Sequence, residues 1–291
     1  MALPPIPRCV PAPFATSSGA CGRWDAVPSA QRSWARARHS PASSPTRLLS
    51  HVLETRAAHE GAAGRLEVAA ALADEALHWA SAAGDDWALA MAAEARAVAS
   101  DSAAELRERV GWAAALLEQV GNVYLLADLL TSAAYSALRH GSDRDAHEFV
   151  SRAIPIAREL DNPYGWMLLQ GNLALAKLLT GNADAAREAF REELRLCLEL
   201  GVLPLASEGL LGIAAIAAVH NDPHRAARLV AAAAAHSYGA PQQGIKARLD
   251  SAFLDPARSR HGADTWDTPV RHGAALSFEG AIAYALDEAG G

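Results

Sequence analysis

His220 and His224 are four residues apart, the spacing that sets two metal ligands on one helix face. Asn221, Asp222 and Pro223 lie between them, a turn sequence that takes the rings off a common face, so the pair predicts no metal centre. His140 and His147 flank a second turn and read as solvated helix ends. Cys197 falls on an apolar helical stripe, where a buried structural thiol is expected rather than a nucleophile. Asp85 and Asp86 are adjacent, so their side chains diverge. Acids at such a helix start complement the helix dipole and need no acid–base role. The seven tryptophans (24, 34, 79, 87, 112, 166 and 266) are too scattered for a cofactor box and are expected in core and tail. No Ser-His-Asp, Gly-x-Ser-x-Gly or zinc-type constellation occurs. The reading is of a non-enzyme with no catalytic residue, no metal and no cofactor.

The elements that hold these residues follow from a repeat. At a period of 40 residues, Ala134, Ala174 and Ala214 fall in register, as do Ala146, Ala186 and Ala226. Gly141, Gly181 and Asn221 mark a break inside each unit, and Gly121, Asp161 and Gly201 a break between units. Between the breaks the apolar period is helical: Ala186, Ala189, Phe190, Leu194 and Cys197 make one stripe. The preceding helix, with Met167, Leu168, Leu169, Leu173, Leu175, Leu178 and Leu179, is apolar nearly all round and must be covered on both sides. Tandem helix pairs at this period predict an all-α solenoid in which each unit buries its apolar face against its neighbours. Five pairs are expected, at 46–60 with 64–83, 86–99 with 103–120, 122–140 with 143–160, 163–180 with 183–200, and 203–220 with 223–238.

Three regions result. Residues 1–45 hold eight of the fifteen prolines and no helical period, and predict a disordered Pro/Arg/Ser-rich tail. A misassigned start codon and a transit peptide are the alternatives there, the second opposed by the prolines. Residues 46–239 are the repeats. Residues 240–291 form a capping segment in which Pro241, Pro256 and Pro269 surround one short helix at 244–254, with a last helix opening at Ser277-Phe278. The formal charge of −7 is unevenly placed, with six arginines against one aspartate in residues 1–50. The acidic body opposes direct DNA binding. Three cysteines make no disulfide framework and point to a reducing cytoplasm, and no apolar run reaches membrane-spanning length.

The units resemble tetratricopeptide repeats of lengthened period. Leu173-Ala174, Ala186 and Phe190 sit at that family's Leu-Gly, small and aromatic positions. Leu130, Ala134, Ala146, Val150 and Ala153 match in the unit before, and Ile213, Ala214, Ala226, Val230 and Ala233 in the unit after. Alanine replaces the glycine, and Glu193 replaces the last small residue. The runs Asn182–Phe190 and Asn221–Leu229, and the ending Gly273–Ser277 with Ala281-Ile282 and Ala285-Leu286, are similar to the repeat region of MalT/LuxR-type and AfsR/SARP-type bacterial regulatory ATPases, which activate transcription. That resemblance implies a right-handed solenoid serving as an interaction or sensor module. The phosphate loop G-x-x-x-x-G-K-[ST] of the ATPase has no match, because neither Lys177 nor Lys246 lies in one.

In tetratricopeptide arrays the first helix of each pair lines a concave groove. The resemblance therefore implies a groove lined by Asp128, Thr131, Ser132, Tyr135, Arg139, Asn172 and Glu208. Two readings of these polar residues stand side by side: a face that is merely wet, and a site for a protein, peptide or small effector. An independent scaffold unrelated to transcription, or an unrecognised enzyme, are the rival readings of the whole chain.

Overall fold

A left-handed residue recurs every twenty positions through the middle of the chain. Gly121, Gly141, Asp161, Gly181, Gly201 and Asn221 all have positive φ. Each stops a helix, since an L-residue in that conformation cannot continue the right-handed spiral. Asp161 (φ 46°) and Asn221 (φ 62°) tolerate it because their short polar side chains bond locally. At four of the six the next residue's side chain then caps the following helix. Asn122, Asn162, Asn182 and Asp222 accept from the backbone N–H groups of Leu125, Gly165, Ala185 and Arg225 at 3.0–3.3 Å.

The computed structural model describes residues 45–236 and 243–287, and over them it is helical with no strand. The pairs are α1 (Pro45–Ala62) with α2 (Leu66–Ala83), α3 (Asp86–Val98) with α4 (Ala103–Val120), and α5 (Val123–Arg139) with α6 (Asp143–Glu159). They continue as α7 (Pro163–Leu179) with α8 (Ala183–Leu200) and α9 (Ala206–Val219) with α10 (Pro223–Ala235). A 3₁₀ turn, Leu203–Leu205, leads into α9. The five expected pairs are present, and the chain is an all-α solenoid of sequentially packed helices. Successive first helices touch one another, whereas successive second helices do not pack extensively, so α1, α3, α5, α7 and α9 form the inner layer.

The register alanines make this stacking possible. Ala134, Ala174 and Ala214, like Ala146, Ala186 and Ala226, have no exposed surface. Alanine at these positions lets neighbouring helices close without a side chain between them. In the fourth pair the second helix inserts larger groups, and the next helix makes room. Phe190 is fully buried against α9 where a Cβ on Gly212 would overlap its ring. One turn on, the Glu193 carboxyl lies between α7 and α9, and a Cβ would come 2.5 Å from Oε1 at Gly171 and 2.9 Å from Oε2 at Gly209. Helical glycine costs about 1 kcal/mol against alanine, and here it provides space for those two side chains.

Three expectations are corrected. Pro45, assigned to the tail, is the first residue of α1, a position where its missing N–H costs nothing; residues 1–44 lie outside the described residues, as do 237–242 and 288–291. The prolines at 256 and 269 do not break the C-terminal segment. It runs as α11 (Gln243–Leu249), a π turn (Asp250–Leu254), α12 (Asp255–His261) and α13 (Ala263–Ala274), then α14 (Phe278–Leu286). The wide π turn ends just before Pro256, which stands in the first turn of α12, where a helix needs no N–H from it. Among the described tryptophans only Trp266 is buried, and Trp112 is 42% exposed, so core packing does not account for the set.

The C-terminal segment also does more than close an end. α13 lies on α10 so tightly that a Cβ on Gly273 would overlap the Arg228 backbone. Arg225 donates to the carbonyls of Tyr284, Ala285 and Asp287 at 2.7–3.1 Å, holding the C-terminus of α14. Helix α11 turns back across the inner layer and touches both α5 and α9, burying Ile245 and Leu249. Arg248 donates to Leu138 O (2.6 Å) and forks onto Asp143 (2.8 and 3.0 Å).

The close crossing at Ala186 sets the first test. Ala186→Leu is expected to cost about 1–3 kcal/mol by overpacking, whereas Ala183→Leu, at the half-buried first residue of α8, should cost clearly less. Urea unfolding of both variants measures the difference, and equal losses would refute the repeat register.

Candidate functional site

The seven groove residues belong to α5, α7 and α9, and the structure binds four of them to each other. Thr131 is buried, with Oγ1 donating to Ala127 O (2.8 Å), and its own carbonyl accepts from Asn172 Nδ2 (2.8 Å), which ties α7 to α5. Tyr135 donates its hydroxyl to Glu208 Oε1 at 2.7 Å, so a residue of the third pair reaches one 73 positions away in the fifth. The side chains of Asn172, Tyr135 and Glu208 are struts between pairs, with the Thr131 carbonyl as the acceptor of the first. Arg139 is half-buried beside the start of α11, its Cγ 3.8 Å from where a Cβ on Gly244 would stand. Ser132 is half-buried and Asp128 is exposed.

Asp128 has a different set of neighbours. With Tyr124 and Thr131 of α5 it lines a shallow cleft completed by Ala157 and Leu160 of α6 and by Gly165 and Trp166 of α7. Arg158 stacks over the Trp166 ring at 5.6 Å. Asp128 opens to solvent, yet the protein wall around it raises its carboxyl above the usual range. Glu94 of α3 is raised well above that range, first by burial, then by Asp128, then by Glu54 of α1. Tyr124 and Tyr164 are raised by burial and by the same Asp128 charge. Glu54, Glu94 and Asp128 thus run as a line of carboxyls along three successive inner helices. Glu54 has a partner in exposed His51, 3.3 Å away. Among the described residues no basic side chain pairs with Glu94 or Asp128.

A second acidic centre lies where α7, α8 and α9 meet. Glu193 is only 6% exposed and its Oε2 has no hydrogen-bond partner. Burial, and then the nearby Glu208, push its carboxyl well up. Glu208 is itself raised to about 7 by burial, with the Tyr135 bond pulling the other way. The sequence marked Glu193 only as a departure from a small residue. The signal that could have found its role is Gly171 and Gly209, unprovoked glycines in two apolar helices.

The remaining candidates are accounted for by packing. Cys197 is a fully buried free thiol, 3.5 Å from Met167 Sδ, and burial with the Glu193 charge raises it to about 12, so it is inert. Asp85 caps α3 through the N–H groups of Trp87 and Ala88 and pairs with Arg47 at 2.9 Å. His140 is no free helix end: its Nε2 meets Ser100 O at 3.1 Å and joins the second pair to the third. His220 contacts Arg187 (2.9 Å) and Asp184 (3.3 Å), while His224 is exposed apart from it. Among the described residues no group of three or more His, Cys, Asp or Glu is arranged to hold a metal, and no helix is long and apolar enough to cross a membrane.

Removing the strut hydroxyl leaves Glu208 short of its donor in a buried site. Tyr135→Phe should therefore lower stability by about 1–3 kcal/mol, against a change within about 0.5 kcal/mol for Ser132→Ala. Thermal or urea unfolding reads both, and a neutral Tyr135→Phe would show that the bond holds nothing. No family model matches this chain, and no curated protein matches it.

Proposed function

We propose that the chain is a non-catalytic helical-repeat module that binds a protein, peptide or small effector on its concave face, as the sensor region of a LuxR/MalT-type or AfsR/SARP-type transcriptional regulator does. One observation carries the reading: Glu94 and Asp128 stand on neighbouring inner helices, the Asp128 charge adding to the burial that raises Glu94, with no basic side chain of the described chain paired to either. A fold has no need of such a strip for its own packing, and an aromatic-edged acidic cleft offers a partner both charge and stacking surface. The reducing cytoplasm suits a module whose described cysteine is a buried free thiol.

The structure changes which residues should be tested. Tyr135 is a strut, so its loss would confuse unfolding with lost binding, whereas Asp128 is exposed and lies in the cleft. Asp128→Lys should keep the thermal midpoint within a few degrees and abolish retention of any partner recovered by pull-down with the unaltered chain. Full retention by the variant would remove the acidic strip from the recognition surface. Saturable ATP hydrolysis by the purified chain would overturn the non-catalytic reading altogether.

A further inference from the structure

Glu193 occupies a position where the repeat has a small residue, and everything around it is arranged for a neutral group. Its carboxyl lies between Gly171 of α7 and Gly209 of α9, more than nine-tenths buried, with Oε2 unpartnered. Among the described residues, the elements packed around this point bring no cation paired to it. Helix α5 brings Tyr135, whose hydroxyl is already given to Glu208, and Arg139, which acts on Tyr135. Helix α7 brings Gln170, Gly171 and Asn172, the last committed to Thr131 O, with Tyr164 standing towards Asp128 and Cys197. Helix α8 adds the inert Cys197, while its Arg195 is turned to Glu192 on the wet side. Helix α9 adds Glu208 alone. The cations of the elements that cover α9 are engaged elsewhere: Arg225 on the α14 carbonyls, Arg228 over the Tyr284 ring, Arg248 on Asp143 and Lys246 on Asp250. The buried Glu193 carboxyl and the half-buried Glu208 carboxyl therefore act on each other with no cation of the described residues paired to either.

We infer that the junction between the fourth and fifth helix pairs is a proton-operated joint, closed while Glu193 holds a proton and loosened when Glu193 and Glu208 are both ionised. An ionised Glu193 would have no donor for Oε2 and an ionised neighbour beside it, and the least costly relief is water, admitted by moving α9 away from α8. The sign follows from linkage. Both folded-state carboxyls titrate above the ordinary glutamate range, so the closed joint is fully favoured below that range and is weakened as pH rises through the region near 7 where Glu208 titrates. Tyr135 makes the joint matter for the rest of the molecule. Its bond to Glu208 straps the third pair to the fifth across the inner face, so movement of α9 changes the curvature that a partner would meet.

Hydrogen–deuterium exchange of the full chain tests this, with times corrected at each pH for intrinsic amide exchange. Peptides from residues 183–219 should lose at least about tenfold in protection between pH 6 and pH 8.5, the size of a shift of one unit in a single linked ionisation. Peptides from α2 should stay unchanged over the same range. Glu193→Gln, neutral at every pH and nearly isosteric, should hold α9 closed throughout. Should that variant fail to fold, Glu208→Gln, which removes the facing charge, should flatten the profile instead. A pH-independent α9 in the unaltered chain, or an unchanged pH slope in the folded variant, overturns the joint.

Discussion

Close approach of alanine-faced helices is the constraint from which the rest of this structure follows. A pair of thin helices cannot bury an inner helix alone, and α9, with Leu210, Leu211, Ile213 and Ile216 all buried, is covered only because α8, α10 and the C-terminal segment reach it. The seam of Ala134, Ala174 and Ala214 lies in the inner helices, and that of Ala146, Ala186 and Ala226 lets the second helices close on the inner layer. Small residues reduce the apolar area that each contact buries, so the array depends on many tight contacts rather than a few large ones. This is why overpacking one of these alanines should matter more than its size suggests.

The same thinness puts polar groups in places where a thicker core would exclude them. Glu193 reaches the inner layer because Gly171 and Gly209 leave a gap there, and Tyr135 can span from α5 to Glu208 because little projects from α7 between them. Specificity of packing in an alanine-rich solenoid then comes in part from directional contacts: Asn172 to Thr131, Tyr135 to Glu208, His140 to Ser100, Arg248 to Asp143. Each links different pairs, and each fixes a rotation that alanine faces alone would leave free.

How far these features were legible in the sequence depends on the range of the interaction. The turns were legible because a helix-stopping Gly, Asp or Asn recurs at twenty-residue intervals, at Gly121, Gly141, Asp161, Gly181, Gly201 and Asn221. The inner helices were legible because their apolar residues encircle them. The C-terminal segment was not, because proline reads locally as a breaker, whereas the π turn before Pro256 and α11 lie on α9 and α12 lies against α10. The groove residues could be placed on the right helices by register, but register says nothing about which of them bond to one another. Tyr135 and Glu208 are 73 residues apart, and their contact depends on how the one intervening pair angles α5 to α9. Glu94 and Glu54 escaped notice because the first two pairs depart from the 40-residue period, which takes their acids out of register with Asp128.

This division separates the inner face into two parts with different chemistry. Around α7, α8 and α9 the polar groups are spent on one another or enclosed, and α11 lies across the ends of α5 and α9. Along α3 and α5, Asp128 stands beside Tyr124 and Trp166, and among the described residues no cation pairs with Asp128 or Glu94. A partner arriving at the concave face would find its free charge in this second part, while the first sets how the pairs are angled to one another. On the proposed reading, recognition and geometry use different carboxyls: Asp128, exposed, with Glu94 behind it would meet a ligand, whereas Glu193 and Glu208 bear on the spacing of the helices. A mutation in either set should leave the other's chemistry in place, because the carboxyls stand on different helices, with α5 and α7 as common supports.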